Sequence, residues 1–364
     1  MTVAEKIIKP NKPGIFRTIF LYTGQGESTL LVIPTGTTVE DYNYVLIDSD
    51  KDNEENEIDL IALFKDLFKT SGELSLFINT HPHNDHVGGI KEVYDEIGFK
   101  EVWHSNHKAG GKHKKKYEDF MSVVKAVGKS NEYFILGTND LNKIRTSANK
   151  EVIKKLGLID YQVLSPAEYL CEEIEEGTAD ERDRRIHEQC GVVKFTYGKD
   201  AKSIMITGDS DKEAWKEHIT DYHKKNLPSH VLSASHHGSR TFFKENEEDK
   251  DLYEAHIKEI NPTYLIISAP KQEDSPHGHP HDDAMELYKK YVDEENIFHL
   301  GKNYESVIVD IDSDGNIEIT FDKELVEEYG QGSNDDGDDS DKNKNYSSIY
   351  VGSQTSKIDN RPNG

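Results

Sequence analysis

Cysteine is almost missing: Cys171 and Cys190 are the only two in 364 residues. Two thiols so spaced build neither a disulfide framework nor a CxxC metal site, so both are expected to be free. Positive charge is scarce as well. Against 69 acidic residues stand 44 Lys and Arg, a formal charge of -25. That balance opposes non-specific binding to DNA or RNA and leaves any nucleic-acid role to a local patch. No apolar run approaches the roughly 18 to 20 residues needed to cross a bilayer, and the opening MTVAEKIIKPNKPG has no apolar signal region. The expectation is a cytoplasmic protein with no membrane role. There is no repeat of fixed period, and no GxSxG element that would prepare a serine nucleophile.

What the chain does have is alternating strand and helix patterns, which favour an α/β fold. FRTIFLYTG (16–24), STLLVIP (28–34) and YVLIDSD (44–50) are rich in β-branched and aromatic residues and predict a strand meander. EIDLIALFKDLF (57–68) has helical spacing, LSLFINT (74–80) reads as a buried strand, and GIKEVYDEIG (89–98) as a short helix. Further strands are predicted at 161–165, 191–197, 203–209, at 230 onward into a histidine pair, and at 263–269, 305–311 and 316–322. Helices are predicted at 212–219 and about 282–292. Residues 166–186 are charge-dense and suit a surface insertion or exposed helix. The division expected is an N-terminal extension (1–14), a main domain (15–325) and an acidic, disordered tail (326–364). The tail's last apolar stretch, IYVGSQTSKIDNRPNG, suits a docking peptide for a protein partner or a plain unstructured terminus.

Between the strand at 74–80 and the following helix lies HPHNDH, with His81, His83, Asp85 and His86. A loop can aim these side chains at one point, and imidazole with carboxylate suits zinc and similar divalent ions. His81 and His83 share one side of an extended segment and suit one ion; Asp85 and His86 suit a neighbour. Such an ion lowers the pKa of bound water toward about 7, giving a hydroxide nucleophile without a protein nucleophile.

HPHNDH resembles the HxHxDH signature of the metallo-β-lactamase fold hydrolases. The resemblance implies a four-layer αββα sandwich over roughly 15–322 and a site at one edge of its two sheets. It implies two divalent ions, zinc first, with manganese or iron as alternatives. Asp48, ending YVLID, is similar to the aspartate that braces the metal loop. Asp209 in TGD is similar to the carboxylate that bridges the ions. YTGQGES (22–28), HHGS (236–239) and GHPH (278–281) are similar to elements of competence-protein-type domains. Those domains accompany the bacterial DNA-uptake channel and are associated with nuclease activity; phosphorylcholine esterases are further relatives. The resemblance therefore implies a metal-dependent phosphodiesterase or nuclease acting on DNA, RNA or a nucleotide. A hydrolase of a small ester, lactone or amide, and a non-catalytic protein working through its tail, are the alternatives.

The third histidine departs from the pattern. RIHEQCGVVKF (185–195) offers His187 as ligand, with Gln189 as the rival. In HHGS, position favours His236 as ligand, leaving His237 beside it or touching substrate. Asp85, His237 and His279 are the candidates for a part in the chemistry, His279 as a substrate or proton-transfer group. HKAGGKHKKKY (107–117) holds five lysines; Lys112, Lys114, Lys115 and Lys116, with Ser239, are candidate substrate contacts. A solvated basic loop is the alternative. Trp103 and Tyr117 flank it, as base-stacking rings or as core.

Overall fold

The computed structural model describes residues 1–51, 56–69, 72–109, 111 and 113–331. Its strands in chain order are β1 (Ile15–Phe20), β2 (Thr29–Pro34), β3 (Tyr42–Ile47), β4 (Leu76–Asn79), β5 (Val102–His104), β6 (Glu132–Phe134), β7 (Lys143–Thr146), β8 (Glu151–Ile153), β9 (Asp160–Ser165), β10 (Val192–Tyr197), β11 (Lys202–Ile206), β12 (Val231–Ser233), β13 (Tyr264–Ile267), β14 (Ile297–His299), β15 (Ser306–Asp312) and β16 (Ile317–Asp322). They make two sheets, ordered β16-β15-β1-β2-β3-β4-β5-β6-β7-β8 and β14-β13-β12-β11-β10-β9. β1, β2 and β3 run antiparallel as neighbours, the expected meander.

Side-chain pattern explains the layering. β2 and β4 are buried at every position, as strands covered on both faces must be. In the second sheet, successive residues divide between two cores. Val163, Val193, Phe195, Ile204, Ile206, Val231 and Ile266 join the core shared with the first sheet. Their neighbours Leu164, Val192, Met205, Leu232, Leu265 and Ile267 join a second core with Trp215, Ile257, Ile260, Leu287 and Tyr288 of the outer helices. A period of two puts one set inward and the other outward. On the first sheet's side lie Leu63 and Phe64 of the helix Leu60–Phe68, Val93 of Ile90–Glu96, and Phe120 and Val123 of Lys114–Val127. The result is the four-layer αββα sandwich.

Both ends of the described chain pack on this body. The helix Val3–Ile8 starts with a reciprocal cap between Thr2 and Glu5 and buries Ala4, Ile7 and Ile8. Ala4 N–H donates to the Tyr329 hydroxyl at 3.1 Å. The helix Glu324–Tyr329, which buries Leu325, Val326 and Tyr329, runs across the boundary drawn at 325. Residues 332–364, with most of the expected tail and its docking peptide, lie outside the described residues. Cys171 and Cys190 are free. Among the described residues no helix is long and apolar enough to cross a membrane.

Candidate metal centre

The centre lies where loops from the two sheets meet. β4 ends at Asn79, and Asp48 anchors the loop beyond it. Asp48 has φ 54° and is fully buried. Its carboxylate accepts from Thr80 N–H (2.8 Å), the Thr80 hydroxyl (2.6 Å), the Asn79 amide (3.0 Å) and His86 Nδ1 (2.8 Å). Four donors on one carboxylate offset the cost of burying it. Across the seam, Gly191 N–H donates to Thr80 O at 2.8 Å. Gly208, at φ +47°, lets the backbone pass where a Cβ would stand 2.7 Å from both Cys190 Sγ and Thr80 Oγ1. Gly26 plays the same part in the GQGES loop, where a Cβ would be 2.2 Å from Asp50.

Asp209, after β11, occupies the middle. Its Oδ2 lies 3.6 Å from His81 Nε2, 3.7 Å from His187 Nε2 and 3.6 Å from His236 Nε2. Its Oδ1 lies 3.1 Å from His86 Nε2 and 3.5 Å from His237 Nε2. Two sets of side chains each bring one possible ligand atom per residue to within 4.8 Å of one another: His81, His83, His187 and Asp209, then Asp85, His86, His237 and Asp209. They share Asp209. A third set, Glu27, Asp48 and His86, shares His86.

Hydrogen bonding tests whether these residues fit a cation. His86 Nδ1–H donates to Asp48, and His237 Nδ1–H donates to Ser268 O at 2.8 Å. The Thr80 hydroxyl gives its proton to Asp48, so at 3.1 Å it accepts from His81 Nδ1–H. Each ring therefore turns an Nε2 lone pair inward, the arrangement that outer partners impose on metal-binding histidines. The Nε2 atoms of His81, His86 and His237 and Oδ1 of Asp209 are buried without a hydrogen-bond partner; His86 Nε2 faces Asp209 at short range but off the donor axis. Buried polar atoms left in this state are costly, and one divalent cation in each of the two sets would satisfy them. The residues fit.

Charge follows the same geometry. Burial would raise the Asp209 pKa, but the imidazoles of His86, His236, His237 and His81 outweigh it and hold the carboxyl well below its usual range. Burial would lower His86, yet Asp209 and Asp48 drive it well above 6.5. His237 is likewise raised, to about 9, by Asp209 and Asp85 against burial. His83 is held at about 2 by burial and then His187. The carboxylates thus favour positive charge beside His86 and His237, which a bound cation would supply.

The two histidines of HHGS divide differently from the expectation. His236 and His237 have φ of 51° and 57°, and this turn brings His237, anchored on Ser268, into the set with Asp85 and His86. His236 stands beside it, with Nδ1 2.9 Å from Thr241 Oγ1 and its ring 4.3 Å from that of His187. His187 Nε2 reaches His83 Nδ1 at 3.2 Å, whereas Gln189 turns to His107 and Ser105 O. His279 borders the basin, its ring 5.1 Å from that of His236. Ser239 does not face it: its hydroxyl accepts from Thr241 N–H and lies 3.5 Å from His281 Nδ1.

The lysines separate too. Lys114–Lys116 open the helix Lys114–Val127 where a loop was the alternative. Lys116 Nζ donates to Asn84 O of the metal loop at 3.3 Å, Lys114 pairs with Glu118 at 3.7 Å, Lys115 is exposed, and Lys112 lies outside the described residues. Trp103 is core, its ring 5.1 Å from that of Tyr161. Sequence reasoning passed over Glu27, Gln25, Thr80, Cys190 and His113. Glu27 is buried, which raises its carboxyl to about 7. His113 lays its ring 4.2 Å from that of His83. Glu27 and Gln25 were present in GQGES as a signal; the others carry none that a single sequence exposes.

Residues 22–163 match the family model described as the metallo-beta-lactamase superfamily. The match includes Asp48 and HPHNDH and stops before His187, Asp209 and the HHGS pair. No curated protein sequence matches. Among solved structures, similarity extends to CmlA, a diiron β-hydroxylase from Streptomyces venezuelae, with 10% identity, TM-score 0.43, and coverage of 80% of this chain and 53% of that one. The chain thus spans about half the length of CmlA. It also extends to Igni18, a metallo hydrolase from Ignicoccus hospitalis, with 13% identity, TM-score 0.42 and coverage of 76% and 90%. A diphosphatase of the PhnP family shows 11% identity, TM-score 0.37 and coverage of 85% and 99%.

Proposed function

We propose that this protein is a phosphodiesterase of nucleic acid or nucleotides that works with two divalent cations, zinc being the ion its donors suit best, ahead of manganese or iron. The observation that carries the reading is Asp209, shared by two ligand sets in which the Nε2 atoms of His81, His86 and His237 are buried and unsatisfied. His81, His83 and His187 would hold one cation with Asp209; Asp85, His86 and His237 would hold the other. When bound, the pair supplies a water ionised near neutral pH and positive charge against a developing anionic oxygen. Asp48 and Thr80 keep the His81 and His86 rings in the ligand tautomer. His236 and His279 border the same basin and are placed to touch the substrate.

A phosphate backbone is favoured as substrate because the basic segment borders the metal loop, through Lys116 on Asn84 and His113 against His83. It gives locally the attraction that a charge of -25 denies globally. The competence-type motifs converge there as well, through Gln25, Glu27, His236, His237 and His279. The test is a panel of DNA, RNA, a nucleotide phosphodiester, a neutral ester and a lactone, run on zinc- and manganese-loaded protein across salt. Phosphodiester turnover that weakens steeply with salt is expected. Turnover confined to the neutral ester or lactone, indifferent to salt, would overturn the substrate assignment.

A further inference from the structure

His279 is held in the opposite sense to the ligand histidines. The Ser275 hydroxyl accepts the N–H of His277 at 3.2 Å and of His279 at 2.9 Å. Its own proton then goes to Gln25 Oε1, 2.6 Å away. An amide whose oxygen accepts on one side presents its NH2 on the other, and Gln25 Nε2 lies 3.2 Å from His279 Nδ1. A ring nitrogen that accepts from an amide carries no proton, so in the neutral ring the hydrogen resides on Nε2. Each step fixes the next.

The groups come from separate parts of the chain. Gln25 lies between β1 and β2; Ser275 and His279 lie between β13 and the helix Asp282–Tyr288. Around the His279 ring stand His281, His236, His277 and His237, at 4.7, 5.1, 5.7 and 6.1 Å between centroids. The residue is only 4% exposed, and burial, then His237, keeps it neutral by lowering its pKa to about 3. His81, His86 and His237 spend an N–H outward and turn a lone pair inward. His279 does the reverse, which unsuits it as a ligand through Nε2 and suits it as a donor.

We propose that Gln25 and Ser275 are positioning residues that hold His279 as the Nε2–H tautomer, so that His279 donates a hydrogen bond to the substrate oxygen that gains negative charge. The proposal rests on the hydrolase reading given above. No bond to His279 forms or breaks, and its proton stays on Nε2. A donor already aimed at a charging oxygen is worth about 10²- to 10³-fold in kcat, and the opposite tautomer would present a lone pair to that oxygen instead.

The test pairs a spectroscopic readout with kinetics on the full chain, zinc-loaded and labelled with 15N-histidine. Two-bond proton–nitrogen correlations report each ring's tautomer, and loss of one signal in His279→Gln assigns it. Wild type should show Nε2–H at His279. Gln25→Glu, whose oxygens only accept, should move the proton to Nδ1 and lower kcat about 100-fold, with KM within about threefold of wild type. Ser275→Ala, which frees the amide to flip, should lower kcat by less. His279→Gln, whose NH2 can stand in for the Nε2 donor, should retain more kcat than His279→Asn. An Nδ1–H signal in wild type, or an unchanged kcat in Gln25→Glu, overturns the proposal while the hydrolase reading stands. Absence of turnover on every substrate with both cations bound overturns the hydrolase reading, and the proposal with it.

Discussion

Two regions bury histidines completely and treat them in opposite ways. In the basin, His86 and His237 face Asp209 and are pushed upward in pKa although fully buried. In the helix layer outside the second sheet, His256 is equally buried among the rings of Phe242 (4.1 Å), Tyr253 (5.1 Å), Trp215 and Phe243 (both 5.5 Å). Neither of its ring nitrogens makes a well-formed hydrogen bond, and burial holds it at about 3. Burial alone therefore makes a histidine inert. Two carboxylates around one ring, Asp209 with Asp48 at His86 and Asp209 with Asp85 at His237, reverse the sign, whereas Asp209 alone leaves His81 and His236 lowered. At His86 the second carboxylate, on the far nitrogen, also decides which atom is presented.

The harshest way to break the contrast is to neutralise the basin's central charge. Asp209→Asn should empty both ligand sets, read as loss of bound cation by elemental analysis. It should also cut turnover by at least about 10³-fold, ~4 kcal/mol of transition-state stabilisation. Retention of two cations per chain would mean that Asp209 is not what joins the sets.

The aromatic box should show itself in acid. An unfolded histidine takes a proton near 6.5, whereas His256 refuses it down to about 3. Its contribution to stability is thus complete above 6.5 and is lost as the pH falls toward 3, amounting to roughly 4 to 5 kcal/mol. His256→Leu should flatten that part of the pH dependence, measured as urea midpoints at pH 7, 5 and 4. Parallel curves for the two proteins would show that this ring does not titrate between folded and unfolded states.

A milder change separates holding a ring from holding an ion. Asp48→Asn keeps the shape but weakens the anchor of His86 and Thr80, and should lower cation affinity about 10- to 100-fold. Competition with a chromophoric chelator measures it. The smallest effect is expected at Ser239, beside the basin yet turned away. Ser239→Ala should cost about 1 kcal/mol of stability through the lost cap and leave KM unchanged; a raised KM would return its hydroxyl to the substrate.

Much of this was legible because it depends on local pattern. The apolar runs of β2, β3 and β4 and the two-residue alternation of β10 and β11 define strands without help from the rest of the fold. HPHNDH, TGD and HHGS stand just beyond strand ends, and GHPH just before the helix Asp282–Tyr288, where loops bring chemistry together. The short strands β5 to β8 and β14 were not legible. With three or four residues each, their sequences carry too little periodicity to show. The helix Lys114–Val127 was hidden by three lysines at its start and no capping side chain, although Phe120, Val123 and Val124 form its inward stripe. Choosing between His236 and His237 required two consecutive left-handed residues, which nothing local demands of histidine. Gln25 lies 250 and 254 positions from the Ser275 and His279 it faces, and Glu27 faces His86 and Asp48 from another loop, relations only the folded chain creates.

The seam at Thr80, Gly191 and Gly208 carries a mechanical meaning. His81, His83, Asp85 and His86 hang from one sheet, whereas His187, Asp209 and the HHGS pair hang from the other. A cation gripped from both sides would act as a rivet through the sandwich at that rim, so that prying the halves apart and stripping the ion would become the same event.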